Sequence, residues 1–170
     1  MTIRIIGAIL IVVGCSSVGF MMAHGYRREL SILSDLADFL NLLECELQYR
    51  SPHIAYITKS FSGDKKGPLH AFFRQLSKEL ESQICPTVDS CVNAALVKIN
   101  DLPMQAKLYI RKFGTTLGLF DLDGQLLEIR ALRTELTEKI TQMKNNQSTQ
   151  IKNYNTLGLC AGAALAILFI

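Results

Sequence analysis

Residues 121–170 read DLDGQLLEIRALRTELTEKITQMKNNQSTQIKNYNTLGLCAGAALAILFI. Asp121 can accept from the free amides of a first helical turn, and acid there suits the positive end of the helix dipole. Apolar residues then recur at Leu122, Leu126, Ile129, Leu132, Leu136, Ile140 and Met143. Steps of three and four place them on one stripe of a helix. The stripe lapses across Lys144-Asn145-Asn146-Gln147-Ser148-Thr149-Gln150 and resumes at Ile151 and Tyr154. From Leu157 to Ile170 no residue is charged. The stretch predicts one long element that packs on a bundle, crosses a polar gap and enters a membrane. The remainder of the chain is expected to pack against its first half and to enter the same bilayer from the other end.

The chain has 170 residues, enough for one domain with a core. Hydrophobic residues make up 49%, and the mean hydropathy is +0.22. Both values are high for a soluble domain, and much of the excess sits at the two ends. Net charge is +3, and without Arg4 the middle holds 17 basic against 15 acidic residues. That balance leaves no nucleic-acid footprint. Five cysteines (Cys15, Cys45, Cys85, Cys91, Cys160) are odd in number and form no CxxC pair. A reduced, cytoplasmic domain with packing thiols fits that usage.

Ile5 to Ala23 is an uncharged run of 19 residues. As helix it covers about 28 Å, close to the hydrocarbon thickness of a bilayer. Gly7, Gly14, Ser16, Ser17 and Gly19 supply small residues for close helix contact in a membrane. The run outlasts a secretory h-region, and no A-x-A site ends it. A rival reading is that Val12-Val13-Gly14-Cys15 resembles a lipoprotein processing site, with Cys15 lipidated. The residues after Cys15 stay apolar to Ala23, where a lipoprotein usually turns polar.

Arg27 and Arg28 precede a stripe at Leu30, Leu33, Leu36, Leu40, Leu43 and Leu47, so the first helix is expected to run on to Arg50. Ser51 as cap and Pro52 at N1 would start a second helix through Ile54, Ile57 and Phe61. Pro68 opens a third, with Leu69, Phe72, Phe73, Leu76 and Leu80 inside. Thr87 can cap a fourth carrying Val88, Cys91, Val92, Ala95 and Leu96. The fifth follows Pro103 and holds Met104, Leu108, Ile110, Phe113 and Leu117, with Gly118 as a left-handed stop. No segment alternates with a period of two. Short connections make neighbouring helices antiparallel. The predicted fold is all-α: an up-and-down bundle of about six helices, residues 24–154, between membrane helices at 1–23 and 155–170.

The second membrane segment is short. Its 14 residues from Leu157 cover about 21 Å as helix. Asn155, Thr156 and local thinning of the bilayer would close the gap, and Tyr154 beside Lys152 is placed like an interfacial anchor. Arg27, Arg28, Lys144 and Lys152 all lie on the domain side, so the positive-inside rule places the bundle in the cytoplasm.

Catalytic chemistry is not visible. There is no phosphate-binding glycine loop, no nucleophile elbow, and no metal-ligand spacing at His24, His53 or His70. His70 reads as a helix-surface residue. Asp35, Asp38, Glu44 and Glu46 make the first helix acidic off its leucine stripe, which suits a solvated or partner-facing side. Glu44 and Glu46 are two apart and point in different directions on a helix.

Two stretches carry a family resemblance. Leu43-Glu44-Cys45-Glu46-Leu47-Gln48-Tyr49-Arg50-Ser51-Pro52 resembles the L-E-x-E-I-x-Y-x-x-(T/S)-P-L element of the stage III sporulation protein AB family of endospore formers. Phe113 to Gln125, FGTTLGLFDLDGQ, resembles its L-G-x-x-L-G-x-S-D-x-x-x-Q element. The order of an apolar first helix, a helical middle and a short apolar tail matches too. His53-Ile54 and Phe120 depart from the family, which has leucine after the proline and serine at the latter position.

The resemblance implies a non-enzymatic membrane part of the sporulation channel between mother cell and forespore, with no cofactor or metal. The family's soluble region is similar to a cytoplasmic domain of the type II secretion and type IV pilus platform protein. Implied partners are a cytoplasmic secretion-type ATPase, other membrane components and the mother-cell membrane facing the forespore. Self-association stays open. Glu44, Glu46 and Tyr49 become candidates for partner contact. Gly114, Leu117, Gly118, Asp121 and Gln125 would shape the turn joining two bundle helices, the bland reading of the glycines being close packing alone. The alternatives are a platform component of a secretion or pilus system, a lipoprotein-like binding module, and a small helical metal protein or enzyme.

Overall fold

Six α-helices make up the secondary structure of the described residues, with no strand among them: α1 (Thr2–Tyr49), α2 (Ile54–Ser62), α3 (Pro68–Ser82), α4 (Val88–Lys98), α5 (Met104–Thr116) and α6 (Leu122–Phe169). The structure is a computed structural model that describes residues 2–49, 54–63, 66–83, 85–117 and 122–169. Within these, the side chains of 2–13, 15–16, 18–20, 122, 154–155, 158–159, 162–163 and 165–169 are outside the description. The expected caps at Ser51, Pro52 and Asp121 and the stop at Gly118 therefore lie outside the described residues, as do the side chains of Cys15 and Tyr154. Among the described residues no helix is long and apolar enough to cross a membrane. Most side chains of both apolar runs fall outside that set.

The chain divides into two units, Met1–Leu30 with Thr141–Ile170, and Ser31–Ile140. In the first, the Tyr26 hydroxyl donates to the Met143 carbonyl at 2.9 Å, tying α1 to α6. The polar gap after Met143 is continuous helix. Gln147, Gln150 and Ile151 are half-buried while Lys144, Asn145, Asn146, Ser148 and Thr149 are exposed. The packing face thus continues, with glutamines replacing apolar residues, and glutamine is a good helix former.

In the second unit the leucine stripe of α1 from Leu33 to Leu47 is buried, and Ile32 and Phe39 are buried with it. The wider face follows from helices packing on more than one side of α1. Phe39 is fully buried, with its ring 4.0 Å from that of Phe73, 5.1 Å from Phe61 and 5.4 Å from Phe113. One side chain thereby joins α1 to α2, α3 and α5. Consecutive helices α2 to α5 pack each on the next. Pro68 sits in the first turn of α3, and the Thr87 hydroxyl accepts from the Ser90 amide at 3.2 Å to cap α4.

Two expectations are corrected. His70 is buried: its ring stacks on Phe61 at 5.2 Å, and Nδ1 lies 3.3 Å from the Phe61 carbonyl. An aromatic neighbour and a free carbonyl from α2 satisfy it inside the bundle. On α5, Met104 and Leu108 are exposed, and Ala106, Tyr109, Ile110, Phe113 and Gly114 face inward. The helix carries apolar residues on two phases, and the aromatic set selects one of them. The helix ends at Thr116; Leu117 is extended and buried, and its amide donates to Phe113 at 3.3 Å.

Polar pairs link α3 to α4. Lys98 Nζ and Gln75 Nε2 both donate to Glu79 Oε1. The Lys98 bond first, then the Gln75 bond, hold the Glu79 carboxyl below its ordinary value of 4.5. A lowered folded value stabilises the fold at higher pH, and the gain disappears as pH falls through it. The melting temperature of Glu79→Gln should therefore lie below that of the parent at neutral pH. The two should converge as the pH drops below 4.5. A gap independent of pH would remove the ionic contribution. Cys91 is buried beside this pair, and burial, with Cys85 next, pushes its thiol up to about 11, so it packs as a neutral group.

Candidate functional site

The end of α1 and the start of α6 meet in the second unit. Leu43 and Leu47 face the core, which turns Glu44 toward α6. Glu44 Oε1 accepts from Arg130 Nε at 2.6 Å, and Oε2 faces Arg133 Nε at 3.2 Å. The second contact is an ion pair without hydrogen-bond geometry, since Oε2 has no hydrogen-bond donor. Arg133 also donates to Asn41 Oδ1 at 3.0 Å. The Glu44 side chain is only 12% exposed, so its carboxylate belongs to the helix seam.

These bonds fix the register. Asn41 meets Arg133 and Glu44 meets Arg130, so the two helices run antiparallel here. Five residues further along α1 and five back along α6, Tyr49 comes level with Gln125. Glu46 comes level with Glu128 by the same count. The described ends of the two stretches, Glu46–Tyr49 and Gly124–Gln125, therefore come level at one end of this unit. The surface there is apolar and acidic: Tyr49 is 80% exposed, Leu127 is 68% exposed, Glu128 is exposed and Glu46 half-buried. Gln125 and Gly124 are half-buried. Gly118 and Asp121 lie outside the described residues.

Gly114 is placed elsewhere, inside the bundle. A Cβ added there would lie 3.0, 3.1 and 3.2 Å from three atoms of Val92, so α5 approaches α4 through this position. Leu117, three residues on, is buried. These two residues act by packing. Sequence reasoning missed Arg130, Arg133, Asn41 and Leu127. The spacing of Arg130 and Arg133, one turn apart beside the α6 stripe, was the available signal. Among the described residues no group of three or more His, Cys, Asp or Glu side chains could hold a metal ion.

The family model for stage III sporulation protein AB matches residues 4–170. The chain belongs to the stage III sporulation protein AB family. The protein of that name from Bacillus subtilis (strain 168) is 25% identical over 171 residues, which cover 99% of each chain. A solved structure of Stage III sporulation protein AB (SpoIIIAB) is similar in fold, with a TM-score of 0.65 at 20% identity. It covers 72% of this chain and 98% of that one. In this sporulation family member, the first-named stretch thus supplies both the seam (Glu44) and the rim, where Tyr49 is exposed and Glu46 half-buried.

Proposed function

We propose that the chain is a non-enzymatic membrane scaffold of the sporulation channel between mother cell and forespore. It couples a cytoplasmic secretion-type ATPase to the membrane components of that channel. The observation that supports this reading is that the end of the first motif stretch, with exposed Tyr49, comes level with Gln125 at the end of the second. An aromatic ring and an aliphatic side chain beside carboxylates suit protein contact, because exposed aromatics and neighbouring apolar groups supply most interface energy. The uncharged runs Ile5–Ala23 and Leu157–Ile170 insert in the mother-cell membrane facing the forespore, and the bundle lies in the cytoplasm. Two anchors would keep that surface close to the membrane, within reach of both the ATPase and the membrane components.

Full-length protein in detergent should retain the ATPase of the same pathway. Tyr49→Ala and Glu46→Ala should each weaken that binding about tenfold or more, with helix content unchanged. Val97→Ala, at an exposed position on α4, should leave it intact. Equal binding by all variants would remove the rim from the interface. Glu44→Ala is the poorer probe, since it also strands Arg130 and Arg133.

A further inference from the structure

The outer face of α4 and α5 has no part in the proposed ATPase contact. Val92 against Gly114 and Asn100 against Lys107 set the two helices antiparallel, so Val97 comes level with Tyr109, beside Leu108. Lys98, paired with Glu79, marks the flank of α4 that faces α3, and Val97 lies on the other flank, toward α5. On α5, Met104 and Arg111 lie on the solvent side of Gly114, the residue that meets α4. Val97, Met104 and Leu108 are 78%, 80% and 50% exposed and form one apolar band across two helices. Arg111 is exposed at its edge and has no acceptor among the described residues, whereas Lys112 is taken by Glu135. The acids nearby, Asp89 and Asp101, each have a partner in the same copy. No acidic residue lies on α5 itself.

The outer stripe of α6 has the opposite sign. With Ile129, Leu132 and Leu136 in the core, Leu127, Ala131 and Glu138 face outward and are exposed. Asp123 and Glu128, also exposed, stand beside Leu127. Asp123, Glu128 and Glu138 make no ion pair among the described residues, while Arg130 and Arg133 are drawn inward to Glu44. One surface of the second unit is therefore apolar with a spare cation, and another is apolar with spare carboxylates. They face away from each other in one copy. We propose that they meet between copies, the α4–α5 band of one packing on the Leu127 stripe of the next. Charge complementarity selects a second copy as the occupant, because it steers association and fixes register. Two unlike patches make a head-to-tail contact, which continues into a row or closes into a ring. Leu127 and Glu128 also border the rim, whereas Tyr49 and Glu46 belong to α1 and stay outside this contact.

The test is sedimentation equilibrium of the full-length protein in detergent. The parent should self-associate with rising concentration. Leu108→Glu and Leu127→Glu should each weaken association about tenfold or more, with an unchanged circular dichroism spectrum. Both positions are exposed and glutamate is a good helix former, so the fold survives either change. An equimolar mixture of the two variants should form dimers and nothing larger, because each keeps the patch that the other has lost. A parent that stays monomeric overturns the contact, and so does a mixture that stays monomeric. Association that survives both substitutions also overturns it, in favour of contacts through the apolar runs. Association that survives Leu127→Glu alone overturns it in favour of the α4–α5 face pairing with itself. Tyr49→Ala should self-associate like the parent while losing the ATPase, so this contact and the ATPase contact fail separately.

Discussion

Phe39→Ala should destabilise the bundle by about 3–5 kcal/mol, the cost of truncating a fully buried phenylalanine. Its ring touches those of Phe61, Phe73 and Phe113, which come from three other helices. No single neighbour can move in to fill the space, because each is held by its own helix. Aromatic pairs in edge-to-face geometry add about 0.5–1.5 kcal/mol beyond burial. Against a total stability of about 5–15 kcal/mol for a domain, this loss is a large fraction. A thermal melt of the full-length protein should fall by about 6–20 °C. Phe39→Leu, which keeps most of the volume, should lose less than about half as much. Tyr49→Ala, at an 80% exposed position, should stay within about 0.5 kcal/mol of the parent. A small effect for Phe39→Ala would mean that the four helices do not depend on that side chain for their junction.

Gly114→Val should cost about 3 kcal/mol by overpacking α5 against α4. All three atoms crowding an added Cβ belong to Val92, whose β-branched side chain has little rotamer freedom and is itself fully buried. Gly114→Ala is the milder case. Its clash is offset by about 1 kcal/mol of helix propensity, which leaves a net loss near 1 kcal/mol. The pair Val92→Ala with Gly114→Ala should lose less than the two single variants together, by about 1–2 kcal/mol, since each relieves the other. Additive losses in chemical denaturation would show that the two residues are not in register. In this chain the glycine then acts through helix spacing inside the bundle, apart from the exposed Tyr49 of the proposed contact surface.

Much of the fold was legible because helix periodicity reports burial directly. Leu33, Leu36, Leu40 and Leu43 on α1, and Ile129, Leu136 and Ile140 on α6, lie on the faces that their spacing marks. Caps such as Thr87 and starts such as Pro68 follow from local backbone chemistry, so they too were readable. Phe39 was passed over because the leucines alone complete a stripe, and a helix enclosed on several sides buries more than a stripe. His70 was misplaced because its satisfaction depends on Phe61, across a turn. Met104 and Leu108 misled because α5 has two apolar phases and only tertiary contacts choose between them. At the candidate site, Glu44, Glu46 and Tyr49 could be singled out from sequence. The split among them could not, since Arg130 pairs with Glu44 across 86 residues of chain.

The most direct measurement is photo-crosslinking in sporulating cells with a benzophenone amino acid at position 49 and, separately, at position 97. Both positions are exposed, Tyr49 at the convergent end and Val97 on α4. The proposed scaffold predicts a crosslink to the secretion-type ATPase from position 49 and none from position 97. A crosslink from position 97 with none from position 49 would contradict it.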